Sequence, residues 1–343
     1  TEIKKDNRGM GDVGVRVSDT VHKRVFGNLS RLPVLAGALL LGACEAKLDL
    51  SGVEQSLNQP IRRTDQLMVL EQVADNLVLL GNDGLLLRRA VDSELWQRQQ
   101  LELDGVHPDF IAGAVCGDGS LVALSYQAQV WQTRDGGNSW QTQALPTEED
   151  VQDIECTQDN QLWVVGSYST LLHQPVSGGE WRESSLQEDA LLTAVTFTTA
   201  GHGYVAGEFG LLAITDDSGA SWRVVDPIGE ELYPLAVYFD AEGSGWVGGL
   251  QGVIMRSEDG GASWARTETP TESPIYNFLM VGDRLVATGD QGTVLEWLDE
   301  GWSRVALPDI PVYLRTGIAL NNNQALIAGG WGVLLPVLFD TPR

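Results

Sequence analysis

Three aspartates recur in one sequence context, and carboxylates of this kind can act as general acids or bases or can anchor a turn. They are Asp135 in TRDGGNSW, Asp217 in TDDSGASW and Asp259 in SEDGGASW. Each stretch reads hydroxyl residue, any residue, Asp, any residue, Gly, any residue, Ser, Trp. This pattern is typical of a tight turn, in which the carboxylate accepts amide hydrogen bonds and a glycine adopts positive φ. We predict that these residues are structural and that none is catalytic.

The motif belongs to a longer repeat, which must build the elements that position it. Its structural residues are predicted to be Asp135, Gly137, Trp140, Asp217, Gly219, Trp222, Asp259, Gly261 and Trp264. Tryptophans close successive units with spacings of 44, 41, 41, 42 and 38 residues, and they are Trp96, Trp140, Trp181, Trp222, Trp264 and Trp302. We expect them to pack between neighbouring units. A second marker, a hydrophobic strand ending in Gly-x-x-Gly or a degraded form of it, occurs seven times. The sequence therefore contains seven units of about forty residues.

Within a unit, alternating apolar residues and turn residues predict four strands, which we call A to D. In the fifth unit they are Leu235 to Phe239, Gly245 to Gly249, Val253 to Ser257 and a strand from Trp264 onward. Four antiparallel strands every forty residues are typical of a propeller blade. The predicted fold is all-β, a seven-bladed β-propeller with four antiparallel strands per blade.

The seventh unit has only three strands before the chain ends. They are predicted at Tyr313 to Leu320, Gln324 to Gly329 and Val333 to Phe339. An open edge would seek another strand, so we expect the segment Lys47 to Leu57 to close the ring. The expected organisation is 1–43 as a signal peptide with upstream residues, 44–64 as a lipid-anchored linker with the closing strand, and 65–343 as the propeller.

The N-terminal region has the character of an export signal. His22-Lys23-Arg24 and Arg31 precede the apolar run Leu32 to Ala43, which is too short to cross a bilayer comfortably. Leu41-Gly42-Ala43-Cys44 resembles the bacterial lipobox, which implies acylation of Cys44. We expect an exported protein, anchored by lipid to the cell envelope and facing the periplasm or, in a photosynthetic host, the thylakoid lumen. An ordinary signal peptide with an incidental cysteine is the alternative.

Charge limits the class of partner. After residue 43 the chain carries 15 Lys and Arg against 43 Asp and Glu, a balance of −28. Such a chain repels nucleic acid and anionic lipid, so no nucleic-acid partner is expected and membrane association would depend on the lipid. The propeller is expected to be monomeric.

Cofactor chemistry is poorly supported by the sequence. His107, His173 and His202 show no metal-ligand spacing, and no phosphate-binding loop or nucleophile elbow occurs, so no metal and no cofactor is expected. Cys116 and Cys156 occupy the position that Phe197 and Phe239 take in later units. The simplest interpretation is a pair of buried thiols. A disulfide is the alternative, disfavoured because equivalent positions on neighbouring inner strands are expected to exceed the 4.4–6.8 Å separation of a bridge.

The turns between strands B and C should all emerge on one face of the ring. Such turns prefer Asn, Asp and Gly, yet five of the seven carry a large apolar residue. These residues are Tyr126, Tyr168, Phe209, Leu250 and Trp331. Departures from local preference tend to mark functional sites, so we predict a partner-binding surface here. The alternative is that these side chains turn inward and cap the central channel.

The repeated turn is identified as the Asp-box, or bacterial neuraminidase repeat. Seven units that combine Gly245-Trp-Val-Gly248-Gly-Leu-Gln-Gly252 with Ser257-Glu-Asp-Gly-Gly-Ala-Ser-Trp264 resemble the photosystem II assembly-factor propellers. The resemblance covers about residues 65 to 340. It implies a non-enzymatic scaffold or assembly factor for a membrane protein or membrane protein complex. Whether the host is photosynthetic stays open.

Sialidases share the Asp-box and give the alternative, a glycoside hydrolase or carbohydrate-binding propeller. They use three convergent arginines, a Tyr–Glu pair and an acidic proton donor, with Arg-Ile-Pro near the start of a six-bladed ring. This sequence has Pro60-Ile-Arg-Arg63 instead, and Arg315 is the clearest arginine near an inner strand.

Overall fold

Seven small antiparallel sheets form the protein in a computed structural model, which describes residues 52, 57–176, 178–198, 201–229, 232–298 and 301–340. In each sheet the strands pair in chain order, A to B and B to C, and in the six four-stranded sheets also C to D. The described residues fall in one compact unit, Leu50–Arg343. The all-β, seven-bladed propeller predicted from the repeat is confirmed. Across these ranges no helix has the length and apolar character needed to span a bilayer.

Blades 1 to 3 each contain four strands. Blade 1 comprises β1 (Leu67–Val73), β2 (Asn76–Gly81), β3 (Leu85–Ala90) and β4 (Gln97–Gln100). Blade 2 comprises β5 (Phe110–Val115), β6 (Leu121–Ser125), β7 (Gln129–Thr133) and β8 (Gln141–Ala144). Blade 3 comprises β9 (Val151–Cys156), β10 (Leu162–Gly166), β11 (Thr170–Gln174) and β12 (Arg182–Ser185).

Blades 4 to 6 repeat this order. Blade 4 comprises β13 (Leu192–Phe197), β14 (Gly203–Gly207), β15 (Leu211–Thr215) and β16 (Arg223–Val224). Blade 5 comprises β17 (Pro234–Phe239), β18 (Gly245–Gly249), β19 (Ile254–Ser257) and β20 (Ala265–Thr267). Blade 6 comprises β21 (Ile275–Val281), β22 (Arg284–Gly289), β23 (Val294–Leu298) and β24 (Gly301–Arg304).

Blade 7 has three strands among the described residues, as its sequence predicted. They are β25 (Leu314–Asn321), β26 (Gln324–Gly329) and β27 (Leu334–Leu338). Four of the B–C turns form single-turn 3₁₀ helices at Ser167–Ser169, Glu208–Gly210, Leu250–Gly252 and Gly330–Gly332. The predicted closing strand, Lys47 to Leu57, lies outside the described residues except for Gly52 and Leu57. The predicted signal peptide and Cys44 lie wholly outside them.

The hydrophobic core is divided among the interfaces between blades. Each buried cluster takes side chains from two consecutive blades, including the pair formed by blades 7 and 1. Trp222 of blade 4 packs edge-on against Trp163 of blade 3, with ring centroids 5.6 Å apart. Trp140 likewise joins the cluster that contains Val69 and Leu80 of blade 1. The predicted packing of these tryptophans between blades is confirmed, and it explains why a closing tryptophan recurs.

The Asp-box is a self-contained hydrogen-bonded turn between strands C and D. In blade 5, the Ser257 hydroxyl donates to Asp259 Oδ1 at 2.9 Å and accepts from the Gly261 amide at 2.9 Å. Asp259 then accepts from the Ser263 amide at 2.8 Å and from the Ser263 hydroxyl at 2.6 Å. Blades 2 and 4 reproduce the arrangement at Asp135 and Asp217. The carboxylates are occupied in holding the turn.

Blades 7 and 1 are joined by direct contacts that close the described part of the ring. The Gly332 amide donates to the Asp65 carbonyl at 2.8 Å, and the Leu70 amide donates to Thr316 Oγ1 at 3.1 Å. The buried Asp65 carboxylate also binds Arg98, with nitrogen–oxygen distances of 2.7 and 3.0 Å, and accepts from the Arg62 amide. Asp65 therefore fastens the segment before β1 to both blades.

The interpretation of Cys116 and Cys156 as separate thiols is wrong. They form a disulfide with a Cα–Cα distance of 4.9 Å. The inner strands of blades 2 and 3 converge at this end, where the Asp118 amide donates to Asn160 Oδ1 at 2.8 Å. A side chain on Gly117 would meet the Gln158 carbonyl oxygen at 2.0 Å, so glycine permits the close approach of the two hairpins. The cysteines are buried, as expected, but they join two blades covalently.

Reduction of this disulfide is expected to destabilise the propeller by about 3 to 4 kcal/mol, since the bridge restricts a loop of 40 residues in the unfolded chain. Urea unfolding of oxidised and dithiothreitol-treated protein would measure the loss. The variant Cys116→Ala/Cys156→Ala should unfold at the same urea concentration with and without reductant. Equal stability of the oxidised and reduced wild-type protein would contradict a structural role for the bridge.

Candidate functional site

One face of the ring is built by the B–C turns together with the loops that lead into strand A of each blade. In all seven blades the first turn residue donates its amide hydrogen to the carbonyl of the residue just before strand A. Examples are Tyr126 to Asp109 at 2.8 Å, Ser167 to Asp150 at 2.9 Å and Glu208 to Leu191 at 2.9 Å. Further amide bonds join a turn to the next blade, as from Ser169 to Ala190. We call this surface the B–C face.

Large apolar side chains project from the turns of the B–C face. The exposed fractions of Tyr126, Tyr168 and Phe209 are 66%, 64% and 68%, and those of Leu250 and Trp331 are 42% and 47%. The inward-turned alternative is therefore not what the structure shows. Their role in partner binding stays a prediction.

Three of these aromatic residues have an unusual backbone. Tyr168, Phe209 and Trp331 have φ values of 52°, 61° and 54°, in the left-handed region that bulky residues seldom adopt. Asp83 and Gln251 adopt the same conformation at the equivalent turn position. The positive φ is therefore a property of the turn. The fold does not require an aromatic side chain at this position.

The B–C face is acidic where blades 3 and 4 meet. A groove of about 290 Å³ lies between blades 3 and 4, beside the exposed ring of Tyr168. Its lining includes five carboxylates, Glu148, Glu149, Asp150, Asp189 and Glu208. No arginine in the described part of the chain forms an ion pair with them.

The arginines of the B–C face lie around blades 6, 7 and 1. The Arg63 guanidinium stacks over the Trp331 ring at 5.1 Å, and Arg304 reaches the Gln291 carbonyl in the B–C turn of blade 6. Arg98 is paired with Asp65. The groove carboxylates therefore gather beside Tyr168, whereas Arg63 lies beside Trp331.

The seven inner strands enclose a central channel of about 360 Å³. Small and apolar residues line most of it, but three acidic side chains, Glu71, Asp153 and Glu155, and one base, Arg315, also face the cavity. The guanidinium of Arg315 lies over the Tyr276 ring at 5.6 Å. Asp153 Oδ2 accepts from the Val195 amide at 2.9 Å, which ties blade 3 to blade 4.

Burial controls the protonation of the channel acids. Their side chains are only partly exposed in the channel, and the loss of bulk solvation raises the pKa of Glu71 to about 8. Burial, reinforced by the negative charges of Asp153 and Glu71, raises the pKa of Glu155 to about 8. Burial also raises the pKa of Asp153 to about 6, against the lowering effect of the Val195 amide and Arg315. At neutral pH the channel can therefore hold and release protons.

The Asp-box carboxyls behave in the opposite way. The Ser139 hydroxyl and amide lower the pKa of Asp135 to about 2, and Ser221 does the same for Asp217. Hydrogen bonds from Ser263 also lower the pKa of Asp259. These groups are ionised at any physiological pH and are committed to hydrogen bonds, so they offer no proton for catalysis. Over the described ranges no group of three or more His, Cys, Asp and Glu side chains is placed to hold a metal ion.

The structure separates the predicted residues into two sets. The five apolar turn residues share the B–C face, whereas the Asp-box residues hold the hairpins between strands C and D. Sequence reasoning missed the channel acids Glu71, Asp153 and Glu155. Their signal was available, because each is an acidic residue inside an inner strand.

Comparison with known proteins gives one family. The family model described as photosynthesis system II assembly factor YCF48 matches residues 88–190, 132–232 and 176–274, which together span more than half of the chain. No curated protein sequence matches the chain.

Solved structures share the fold at low sequence identity. A YCF48 bound to a D1 peptide is 15% identical with a TM-score of 0.66, and the match covers 82% of this chain and 94% of that one. YCF48 from Cyanidioschyzon merolae is 15% identical with a TM-score of 0.65, covering 82% and 97%. A catalytically inactive virginiamycin B lyase from Staphylococcus aureus with quinupristin is 11% identical with a TM-score of 0.71, covering 82% and 99%.

Proposed function

Because this chain belongs to the family of the photosynthesis system II assembly factor YCF48, we propose that it is a non-enzymatic scaffold or assembly factor for a membrane protein or membrane protein complex. The B–C face is the surface that binds the partner. One YCF48 structure holds a D1 peptide, which supports a partner recognised through a polypeptide segment.

The exposed turn residues are the observation that carries this proposal. Aromatic side chains with large exposed areas are enriched among the residues that dominate binding energy at protein interfaces. Here Tyr126, Tyr168, Phe209 and Trp331 stand on turns that the fold also builds without aromatic residues, as at Asp83. None of the four belongs to the buried clusters between blades, so we assign them to binding.

Alanine at both Phe209 and Trp331 is expected to abolish partner capture from a membrane extract while thermal stability is unchanged. A hot-spot aromatic contributes about 2 kcal/mol, so the double change should weaken binding roughly a thousandfold.

The matched variant Asp217→Ala/Asp259→Ala should give the reverse result, a lower melting temperature with binding reduced only through instability. Loss of binding at full stability in the aspartate pair, with early melting of the aromatic pair, would assign function to the opposite face.

The proposed location is the cell envelope, with a lipid on Cys44. The disulfide between Cys116 and Cys156 supports an oxidising compartment, in which such bridges persist. We expect Cys44→Ala to lose acyl labelling and to release the protein from membranes with the propeller intact. Unchanged membrane association without acylation would contradict the anchor.

The channel favours a second candidate, a hydrolase or lyase. Glu71 and Glu155 keep protons near neutral pH inside a cavity of about 360 Å³, and carboxyls with raised pKa serve as general acids in many active sites. A panel of chromogenic sialosides and other glycosides tests the glycosidase form. The scaffold proposal predicts no cleavage. Turnover that is lost in Glu155→Gln would establish the enzyme instead.

A further inference from the structure

The acidic groove of the B–C face lies beside exposed aromatic residues. Tyr168 lines the groove between blades 3 and 4, and the exposed Phe209 stands on the neighbouring turn directly after Glu208, which also lines the groove. The aromatic surface and the groove are therefore continuous. A ligand that enters the groove touches apolar rings and carboxylates together.

Among the described residues, no arginine or histidine forms an ion pair with the carboxylates of the groove. A few described acids elsewhere are ion-paired, such as Asp65 with Arg98, Glu296 with Arg284 and Asp118 with Arg134. Glu148, Asp150 and Asp189 make no ion pair with the described arginines and accept no side-chain hydrogen bond from them. Mutual repulsion among these charges is relieved when an external cation binds.

The neighbouring aromatic rings suit the same ligand. Arginine and lysine side chains bind carboxylates and also stack on the faces of tyrosine and phenylalanine. The protein already shows this geometry at the opposite edge of the face, where Arg63 stacks over Trp331 at 5.1 Å. Tyr168 and Phe209 are exposed, and the carboxylates of the groove share its lining with Tyr168.

Resting on the proposed function, we infer that this groove binds an extended, arginine- or lysine-bearing segment of the partner protein. The basic side chains enter the groove toward Asp150 and Asp189, and their stems lie against Tyr168 and Phe209. The groove and Arg63 then determine in which direction the bound segment runs across the face. A segment whose acidic end points to Arg63 and whose basic end points to the groove complements both sectors.

The test uses a fluorescein-labelled twelve-residue peptide in which four arginines alternate with Gly, Ser and Leu, and a counterpart with glutamate at those positions. Fluorescence anisotropy with the full-length protein is expected to show binding of the arginine peptide only. Affinity should fall as NaCl rises from about 50 to 200 mM, since exposed charges are screened.

Two triple variants separate a local site from net charge. Glu148→Gln/Asp150→Asn/Asp189→Asn removes three groove charges and should weaken the arginine peptide about tenfold. Asp159→Asn/Glu242→Gln/Asp283→Asn removes three exposed charges from the A–B hairpins on the opposite face. This control should bind within about twofold of the wild type at 200 mM NaCl. Equal weakening by both triples would show attraction by overall charge alone and would overturn the inference.

Two further measurements complete the test. Tyr168→Ala/Phe209→Ala should weaken the arginine peptide while retaining wild-type melting. Co-sedimentation of the unacylated Cys44→Ala variant with phosphatidylcholine vesicles should be negligible, and lipid binding by this variant without peptide binding would assign the surface to a membrane and contradict the inference. The variant Glu148→Gln/Asp150→Asn/Asp189→Asn could still capture the native partner while Phe209→Ala/Trp331→Ala does not. That result would support the scaffold function and contradict recognition of a basic segment by the groove.

Discussion

The stability of the propeller is expected to fall as pH rises from about 4.5 to about 8, because the channel carboxyls hold protons more tightly in the folded state than in the unfolded chain. Burial raises the pKa of Glu71 and of Glu155 from 4.5 to about 8. Where the folded state binds the extra proton, the free energy of unfolding decreases with pH. The stabilisation is complete below about pH 4.5 and is lost as pH passes through 8.

The size of this effect follows from the shift. Each pKa unit corresponds to about 1.4 kcal/mol, and partial exposure of the two side chains reduces that value. Together the two glutamates should therefore change the free energy of unfolding by several kcal/mol. Urea unfolding between pH 5 and 9 would measure it. Glu71→Gln/Glu155→Gln should flatten the profile and stabilise the protein at pH 8, whereas exposed Glu242→Gln should leave the slope unchanged. A wild-type profile that is flat over this range would contradict the buried, protonated channel.

Replacement of Gly219 by alanine is expected to cost about 4 kcal/mol of stability. Gly219 has φ +84°, and a Cβ there would lie 2.1 Å from Cζ2 of Trp163. Trp163 cannot retreat, because it is buried, stacks on His173 at 4.0 Å and packs against Trp222. The cost combines roughly 1 to 2 kcal/mol for a left-handed backbone with about 1 to 3 kcal/mol for overpacking.

Gly105 provides the matched control for this change. Its φ is +81°, and a Cβ there would meet nothing within 4 Å. Gly105→Ala should therefore lose only the backbone contribution, roughly 1 to 2 kcal/mol. Urea unfolding of both variants separates the two costs. An equal loss of unfolding free energy in Gly219→Ala and Gly105→Ala would contradict a contribution from the contact between Gly219 and Trp163.

The fold could be predicted from sequence because each blade repeats the same local signals. Strand B of blades 5 and 7 was located to the residue, at Gly245–Gly249 and Gln324–Gly329, since Gly-x-x-Gly fixes its end. Strand D was less exact, with β20 at Ala265–Thr267, because short outer strands carry no fixed residue after the tryptophan. The motif determines the hairpin, and stacking of hairpins determines the ring.

The disulfide could not be predicted, because it depends on the spacing between two blades. Cys116 and Cys156 occupy equivalent places in separate repeats, and the repeat gives no distance between them. The hairpins of blades 2 and 3 approach closely where their inner strands converge, and Gly117 permits this because it has no side chain at the contact. The distance between the two cysteines therefore follows only from the packing of neighbouring blades in the structure.

The candidate site was partly predictable. The apolar turn residues could be identified from the sequence, because they differ from the residues that such turns prefer. The acidic groove did not, because Asp150, Asp189 and Glu208 come from separate loops and turns that meet only at a blade interface. Net charge indicated an acidic protein, but not that unpaired carboxylates gather beside Tyr168 and Phe209.

Site-specific photo-crosslinking tests the central claim, that the B–C face binds a membrane protein, most directly. A benzoyl-phenylalanine replaces Phe209 in one variant and exposed Asp159, on the opposite face, in another, and each is irradiated in native membranes. The account predicts a crosslinked membrane protein from position 209 and none from position 159. Crosslinking from position 159 alone would contradict it.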